Sequence, residues 1–178
     1  MIFTKNSISN YIIKVKDIKN THIRELITFD LYLGERFVGK VFYFSGRGEY
    51  KPWFELDYHP WPREENLEVD LFKLFYDSLE PGSRFFVSYV RDKKTSEMLY
   101  KGYHPAETPL GRSLLLAGFT WFKDYYFAEG GNEGFQKLQA NKPISEEARI
   151  KELSELLNEV MDPEVKAIIN MLINKREV

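Results

Sequence analysis

The chain has 178 residues, of which 43% are hydrophobic, 16% aromatic and 29% charged, a balance typical of one folded domain and not of a disordered chain. With 25 basic and 27 acidic side chains the formal net charge is −2, so the molecule as a whole has no field that attracts nucleic acid or anionic lipid. The lack of cysteine excludes disulfides, thiolate nucleophiles and zinc–thiolate sites.

The first residues do not resemble a secretory leader, because Lys5, Asn6 and Ser7 interrupt the stretch that would have to be apolar. The longest apolar run covers residues 114–119 and is far too short to cross a bilayer. We therefore expect a cytoplasmic protein without a membrane partner. The composition, rich in lysine, glutamate and isoleucine, is also compatible with a thermophilic source.

The N-terminal part of the chain is predicted to be a meander of antiparallel strands. Residues 11–18, 26–33, 37–44 and 53–58 are rich in β-branched and aromatic residues, as strands are. A turn at residues 34–36 joins the second strand to the third. The loop before the last strand is indicated by two glycines and a proline, which break both strand and helix periodicity.

The middle of the chain alternates helices with one strand. Residues 64–79 carry leucine and phenylalanine at helical spacing, with glutamates in the early turns. Residues 84–90 form a nearly continuous apolar run, which is typical of a central strand. A short helix is expected at residues 95–101, and a second begins at Thr108 as N-cap with Pro109 in its first position.

A hairpin and two helices are predicted to complete the fold. Residues 120–127 and 135–140 are expected to be strands that flank the glycine-rich segment 130–134. That segment is either a turn or the edge of a substrate pocket formed by Glu133 and Lys137.

The last segment, residues 143–178, is predicted to be a C-terminal helical hairpin appended to an α+β domain of residues 1–142. The domain is expected to contain a mixed, largely antiparallel sheet with packed helices. The apolar stripe of the hairpin is covered either by its own domain or by a second copy of the chain. We favour packing on its own domain, and therefore slightly favour a monomer over a homodimer.

Several classes of active site are not indicated by the sequence. Three histidines without ligand spacing are too few for a metal cluster, so no metal is expected. There is no nucleophile elbow, P-loop or dinucleotide fingerprint. The aromatic residues Trp53, Phe54, Tyr58 and Trp61 are interpreted as core and rim packing, because their neighbours in sequence are mostly acidic, and no nucleic-acid partner is expected.

The most unusual stretch lies around the start of the helix at Thr108. A helix N-terminus presents N–H groups and a positive dipole end, Gly111 allows close approach, and Arg112 adds charge. Together with Leu110 and Ser113 these residues are a candidate phosphate cradle. The alternative is a proline-capped helix with a surface arginine.

These residues resemble the pyrophosphate loop of the GNAT-like N-acetyltransferases, Gln/Arg-x-x-Gly-x-Gly/Ala. Residues 108–113 have that spacing, with Pro105 upstream and leucines behind, although Thr108 and Ser113 depart from the pattern. The order of elements is also similar to that fold, and the chain looks like an uncharacterised archaeal family that has it. The resemblance implies an acetyltransferase-like fold and acetyl-CoA held by Thr108, Leu110, Gly111, Arg112 and Ser113.

A second register of the same resemblance competes with the first. Residues 114–119 are similar to the end of that family's last helix, with Leu114 where a tyrosine is common. In this register the coenzyme helix is the one near Glu64, whose start is acidic. The element order favours the second register and the phosphate chemistry favours the first.

The function that the resemblance implies is an acyl-CoA-dependent N-acyltransferase acting on a small-molecule or peptide amine. Its candidate bases are Glu107 and His104, and Tyr126 is the candidate acid, with packing in the sheet as the alternative for the tyrosine. The rival function is a non-catalytic ligand-binding or scaffold protein that keeps the fold and has lost the coenzyme site.

Overall fold

The computed structural model describes residues 10–60, 63–128 and 136–175. They form an α+β fold with a seven-stranded open sheet in the order β1-β2-β3-β4-β5-β7-β6. The strands are β1 (Tyr11–Asn20), β2 (Glu25–Leu33), β3 (Arg36–Phe44), β4 (Trp53–Tyr58), β5 (Arg84–Ser88), β6 (Trp121–Asp124) and β7 (Lys137–Asn141). Only β4 and β5 pair in parallel among these strands. The prediction of a mixed, largely antiparallel sheet is thereby confirmed.

Apart from α4, the helices of the described residues follow the predicted order. They are α1 (Glu65–Ser78), α2 (Lys93–Tyr100), α3 (Pro109–Ala117), α4 (Tyr125–Ala128), α5 (Glu146–Glu159) and α6 (Pro163–Asn174), with a 3-10 turn at Pro105–Glu107 before α3. None of these helices has the length and apolar character needed to cross a membrane.

The main core lies between one face of the sheet and helices α1 and α3. Phe54 and Phe85 are fully buried and meet the ring of Phe75 from α1 at centroid distances of 5.2 and 4.7 Å. Phe85 also stacks on Phe119, which follows α3. Since β4 and β5 are parallel, the chain must cross over between them, and α1 is that crossover.

The two C-terminal helices pack on their own chain. Leu153 and Leu156 of α5 and Val165 and Ile169 of α6 are buried in a second apolar cluster, which Leu115 of α3 shares. The helices begin as predicted, because the Ser145 and Asp162 side chains accept N–H groups of the first turns. The C-terminal helices therefore pack on their own domain, as predicted, whereas the oligomeric state stays a prediction.

The closing hairpin departs from prediction at its turn. The strand predicted for residues 120–127 ends at Asp124, and Tyr125–Ala128 form a short helix instead. Asp124 directs this change, because its side chain accepts the N–H group of Tyr126 at 3.0 Å and favours a turn over a ladder. The glycine-rich segment 130–134 lies outside the described residues.

Candidate functional site

The sheet divides where its two parallel strands end. β4 and β5 pair through three residue pairs, after which each strand stays only with its outer neighbour. The His59 N–H donates to the Val38 carbonyl at 2.8 Å and keeps the end of β4 with β3, while the Tyr89 N–H donates to the Gln136 carbonyl at 3.0 Å and keeps β5 with the segment before β7. A gap therefore opens between β4 and β5 at their carboxyl ends.

Two cavities adjoin this gap, which we call the cleft. One of about 230 Å³ is lined by side chains of β4, β5 and β7, including Glu55, Phe86, Ser88 and Lys137. The other, of about 400 Å³, lies towards β3 and includes Lys40, His59 and Arg91. Asp57 lines both cavities. Ligand sites in open sheets commonly lie beyond the carboxyl ends of parallel strands, and the cleft occupies that position.

The carboxylates of the cleft each have a cationic partner. Asp57 is hydrogen-bonded to the guanidinium of Arg91, and its cross-strand neighbour is Lys40. Glu55 accepts from the Lys137 ammonium group at 3.2 Å, so the predicted pocket residue Lys137 does lie in the cleft. A ligand that carries both a donor and an anionic group matches this lining better than an apolar one does.

A buried charge cluster lies on the core side of the sheet, between the end of β4 and α1. Glu68 of α1 is 2% exposed and accepts from the Tyr58 hydroxyl and, at 3.3 Å, from Arg63. The same arginine donates to Asp92 at 2.6 Å, which in turn accepts from the Thr95 hydroxyl at 2.7 Å. Burial raises the pKa of Glu68, although Arg63 opposes this shift.

The predicted phosphate cradle is occupied by the protein itself. The N–H of Gly111 donates to the Thr108 side chain at 3.0 Å, and that of Leu110 faces the Thr95 hydroxyl at 3.4 Å. Thr108, Leu110 and Ser113 are buried, with Ser113 facing Glu68. Two of the N–H groups that a phosphate would need at this helix start therefore already have partners.

The reason for a glycine at position 111 is also different from the one predicted. A Cβ atom there would lie 1.8 Å from the Pro105 carbonyl oxygen, so Gly111 permits contact with the preceding 3-10 turn and not with a ligand. The Arg112 guanidinium, predicted to bind phosphate, instead forms ion pairs with Glu65 at 3.0 Å and Glu164 at 3.2 Å. Coenzyme binding by this segment stays a prediction, and it requires these contacts to rearrange.

Glu107 and His104, the predicted bases, together hold the turn between α5 and α6. The Glu107 carboxylate accepts N–H groups from His104, at 3.1 Å, from Asp162, at 2.9 Å, and from Met161. His104 accepts the Ala106 N–H on Nδ1, so its Nε2 carries the proton that faces Glu159 at 3.0 Å. Both side chains lie in a structural joint, and their catalytic role stays a prediction.

Tyr126 was expected to lie in the strand of residues 120–127, and this expectation is wrong because Tyr125 and Tyr126 both lie in α4. The Tyr125 hydroxyl donates to Gln139 at 2.8 Å, and its ring contacts Phe86. Tyr126 is half-buried against the main core. The role of Tyr126 as an acid remains untested, and the predicted pocket residue Glu133 lies outside the described residues.

The sequence contains one indication of the buried charge cluster. Glu68 precedes Leu71, Phe72 and Phe75 by three, four and seven residues, which places a carboxylate on the apolar face of α1. The partners Arg63 and Asp92 had no such indication, since they are 29 residues apart and meet only in the fold. Within the described ranges, no three histidine, aspartate or glutamate side chains are grouped as a metal ion would require.

Comparison with known proteins identifies relatives without a known activity. A family model described as a protein of unknown function (DUF1122) matches residues 9–163. The crystal structure of a protein of unknown function from Aquifex aeolicus VF5 is similar, with a TM-score of 0.62 and 31% sequence identity over 92% of this chain and 95% of that one. No curated protein matches the sequence significantly.

Gly111→Ala tests whether position 111 serves packing. In an open helix the exchange adds roughly 1 kcal/mol of stability, but here the new methyl group meets the Pro105 carbonyl. We expect a loss of about 1–3 kcal/mol in the free energy of unfolding, as for overpacked cores, measured by urea denaturation. Arg112→Ala, one residue along α3, is the control and is expected to lose less. A stabilised Gly111→Ala protein would contradict the packing role.

Glu107→Gln tests whether this carboxylate is an anchor. Removing its charge weakens three backbone hydrogen bonds, each worth about 1.5–3 kcal/mol when one partner is charged. We expect a clear fall in the urea midpoint, whereas Glu155→Gln on the exposed side of α5 is expected to leave it unchanged. A Glu107→Gln protein as stable as the wild type would show that the joint does not depend on this charge.

Glu68→Gln tests the effect of burial on the charge cluster. Because the pKa of Glu68 is raised in the folded state, its proton stabilises the fold at low pH, and this stabilisation is lost as the pH rises through the folded-state pKa. The glutamine stays neutral. We therefore expect the stability of Glu68→Gln relative to the wild type to increase with pH from about pH 4, by at most about 1.4 kcal/mol per pH unit.

The measurement is a series of urea titrations between acidic and neutral pH. Glu155→Gln, at an exposed site, supplies the control and is expected to show no such trend. A difference between Glu68→Gln and wild type that is flat or falls with pH would mean that Arg63 and Tyr58 outweigh burial.

Proposed function

We propose that this chain, which belongs to the DUF1122 family of proteins of unknown function, is a ligand-binding protein built on an acetyltransferase-like sheet, with its ligand in the cleft. The observation that carries this proposal is the separation of β4 from β5. Their pairing ends after three residue pairs although both strands continue with their outer neighbours. On the β5 side, Asp57 and Tyr58 have no paired residue in the described part of the sheet.

The order of elements supports the acetyltransferase-like arrangement. A meander of β1 to β4 is followed by α1, by β5 parallel to β4, by α2 and α3, and by the closing pair β6 and β7. This is the order that the resemblance implied. It supports the second register, in which α1 is the helix that begins beside the cleft.

The chemistry of the ligand follows from the strand edge and from the side chains around it. An exposed strand edge binds extended chains that carry amide groups, as in strand addition. Lys40, Arg91 and Lys137 provide cations for an anionic end. The pantetheine arm of an acyl-CoA is a ligand of this kind, since it is extended and contains two amides.

The starts of helices α1 and α3, and the residue Leu114 within α3, support a protein that has lost catalytic activity. The N–H groups at the start of α3 have partners, and α1 starts with Glu65 and Glu68 and has no side-chain cap at Glu64. Negative charge at a helix N-terminus disfavours a pyrophosphate. Leu114, at the position of the family's tyrosine, is fully buried. The non-catalytic function is therefore the one that we favour.

The second candidate function is an acyl-CoA-dependent N-acyltransferase, which the strand gap and the element order favour. In that case the base must reach the cleft. Glu107 and His104 are engaged in the joint to α5 and α6, so Asp57, which lines both cavities, is better placed to accept a proton from an amine.

Titration calorimetry with acetyl-CoA and with S-acetyl-pantetheine, which lacks the nucleotide and its pyrophosphate, tests the two candidates. Because the protein lacks a pyrophosphate cradle, we expect both compounds to bind. Their two dissociation constants are expected to differ by less than about tenfold, which corresponds to about 1.4 kcal/mol of binding free energy. Ser88→Trp is expected to abolish binding by filling the cleft, whereas Ser154→Trp on exposed α5 is the control.

The outcomes separate the candidates. Much tighter binding of acetyl-CoA, with transfer of its acetyl group to an added amine, would establish the enzyme. An absence of heat with either compound at millimolar concentration would defeat both candidates.

A further inference from the structure

The sheet has a second face, opposite α1, and its side chains alternate with those of the core. Phe54 and Phe85 point to the core, so their neighbours Trp53, Arg84 and Phe86 point the other way. Helices α1 and α3 pack on the core side, and α5 and α6 pack on α3 through the second cluster. The second face is therefore distinct from both the core and the joint with the C-terminal helices.

A row of side chains crosses this face from strand to strand. Phe44 pairs with Trp53, and Trp53 is followed by Arg84 because β4 and β5 pair at Phe54 and Phe85. Arg84 pairs with Asn141 of β7, which pairs with Trp121 of the edge strand β6. Aromatic and basic side chains from distant parts of the chain thus become neighbours.

The centre of the row is a stack of rings and guanidinium groups. The Trp53 ring lies against Phe44 at a centroid distance of 4.9 Å and an angle of 11°. The guanidinium carbons of Arg24 and Arg84 lie 4.7 and 5.0 Å from the same tryptophan ring. Arg84 also lies 5.9 Å from the ring of Tyr50, which is 65% exposed. These contacts hold both arginines in place, and no hydrogen bond or ion pair to another described residue engages either guanidinium.

Two lysines extend the charge of this row towards β6 and β7. Lys137 lies 5.4 Å from the Phe86 ring and Lys123 lies 4.6 Å from the Tyr125 ring. We call the group of Arg24, Trp53, Arg84, Trp121, Lys123 and Lys137 the Trp53 surface. Of its four cations, Lys137 is bonded to the Glu55 carboxylate, and Asp57 lines the same cavity as that pair. A chain with a net charge of −2 therefore concentrates positive charge on one face.

We propose that the Trp53 surface binds single-stranded nucleic acid. A single strand alternates phosphates with flat bases, and proteins bind it with cations along the backbone and with aromatic rings or guanidinium planes under the bases. The Trp53 surface offers both in one row, with Trp121, 39% exposed, at one end and Tyr50 near the other. Duplexes fit less well, because their bases are stacked on each other and cannot reach the rings.

The charge of the surface also selects against other occupants. A second copy of the chain meeting this face on itself would bring the cations of one copy against those of the other. An acidic peptide would satisfy the cations but leave the rings unused. From sequence alone we expected no nucleic-acid partner, because the neighbours of Trp53 along the chain are mostly acidic. The fold replaces them with Arg24 and Arg84, 29 and 31 positions away.

Fluorescence anisotropy with labelled oligo(U) RNA and oligo(dT) DNA, each of about 12 nucleotides, tests the proposal on the full chain. We expect dissociation constants between about 1 and 100 µM at low salt and weaker binding of a matched duplex. Salt titration is expected to give a linear fall of log K with log salt.

Three substitutions locate the binding. Arg84→Gln and Lys123→Gln are each expected to reduce the salt slope by about 0.7, the value for one phosphate contact on a single strand. Trp121→Ala is expected to weaken binding about 5- to 150-fold, as for the loss of a stacked base. Lys151→Gln on exposed α5 is the matched control and is expected to leave affinity and slope unchanged. Lys123 and Trp121 lie on an edge strand, so these variants test the surface even if Arg84→Gln unfolds.

Several results would overturn the proposal. They are an absence of binding at about 100 µM protein, equal affinity for the duplex, equal weakening by Lys151→Gln, and competition by polyglutamate as effective as that by oligo(U). The last of these would show that an acidic peptide is the partner. Lys137 belongs to both the Trp53 surface and the cleft, but none of the three substitutions changes a residue that lines the cleft, and no readout uses acetyl-CoA. Failure here is therefore distinguishable from failure of the proposed ligand site.

Discussion

The parallel pairing of β4 with β5 is the constraint on which the remaining arrangement depends. A parallel pair requires a crossover, and α1 supplies it by packing Phe72 and Phe75 onto the strands it connects. The same pairing brings two carboxyl ends to one edge of the sheet. The cleft, its two cavities and the buried charge cluster all lie there because the chain has to leave β4 at that edge before it begins α1.

Secondary structure was largely predictable because local chemistry decides it. Thr108, Ser145 and Asp162 cap helices where the sequence places them, and Pro109 and Pro163 occupy first positions. The exception is the end of β6. The aromatic run after Asp124 has strand propensity, but a single side-chain bond to the Tyr126 N–H favours a turn. Propensity gives an average over a segment, and one well-placed acceptor overrides it.

The chemistry of the site was much less predictable, because partners are set by the fold. The sequence identified the residues around the start of α3 as unusual, and they are, but as the joint to the C-terminal helices. From the sequence Glu107 is a candidate free base, but in the fold its carboxylate accepts the N–H groups of Met161 and Asp162, which are more than 50 positions away. From the sequence Trp53 is interpreted as a packing residue, but the fold places the guanidinium groups of Arg24 and Arg84 against its ring. A motif specifies which donors exist at a helix start, and only the tertiary structure specifies which remain available.

The short seam between β4 and β5 also divides the molecule as it folds. One half, β1 to β4, is a meander whose pairs are local in sequence and close quickly. The other half joins β5 to β7 across more than 50 residues, as Phe85 and Ala140 show. With only three residue pairs between them, the halves are held together less by their shared ladder than by the rings of α1, since Phe75 packs on Phe54 on one side of the seam and on Phe85 on the other. The weakest ladder of the sheet therefore coincides with the most tightly buried part of the core.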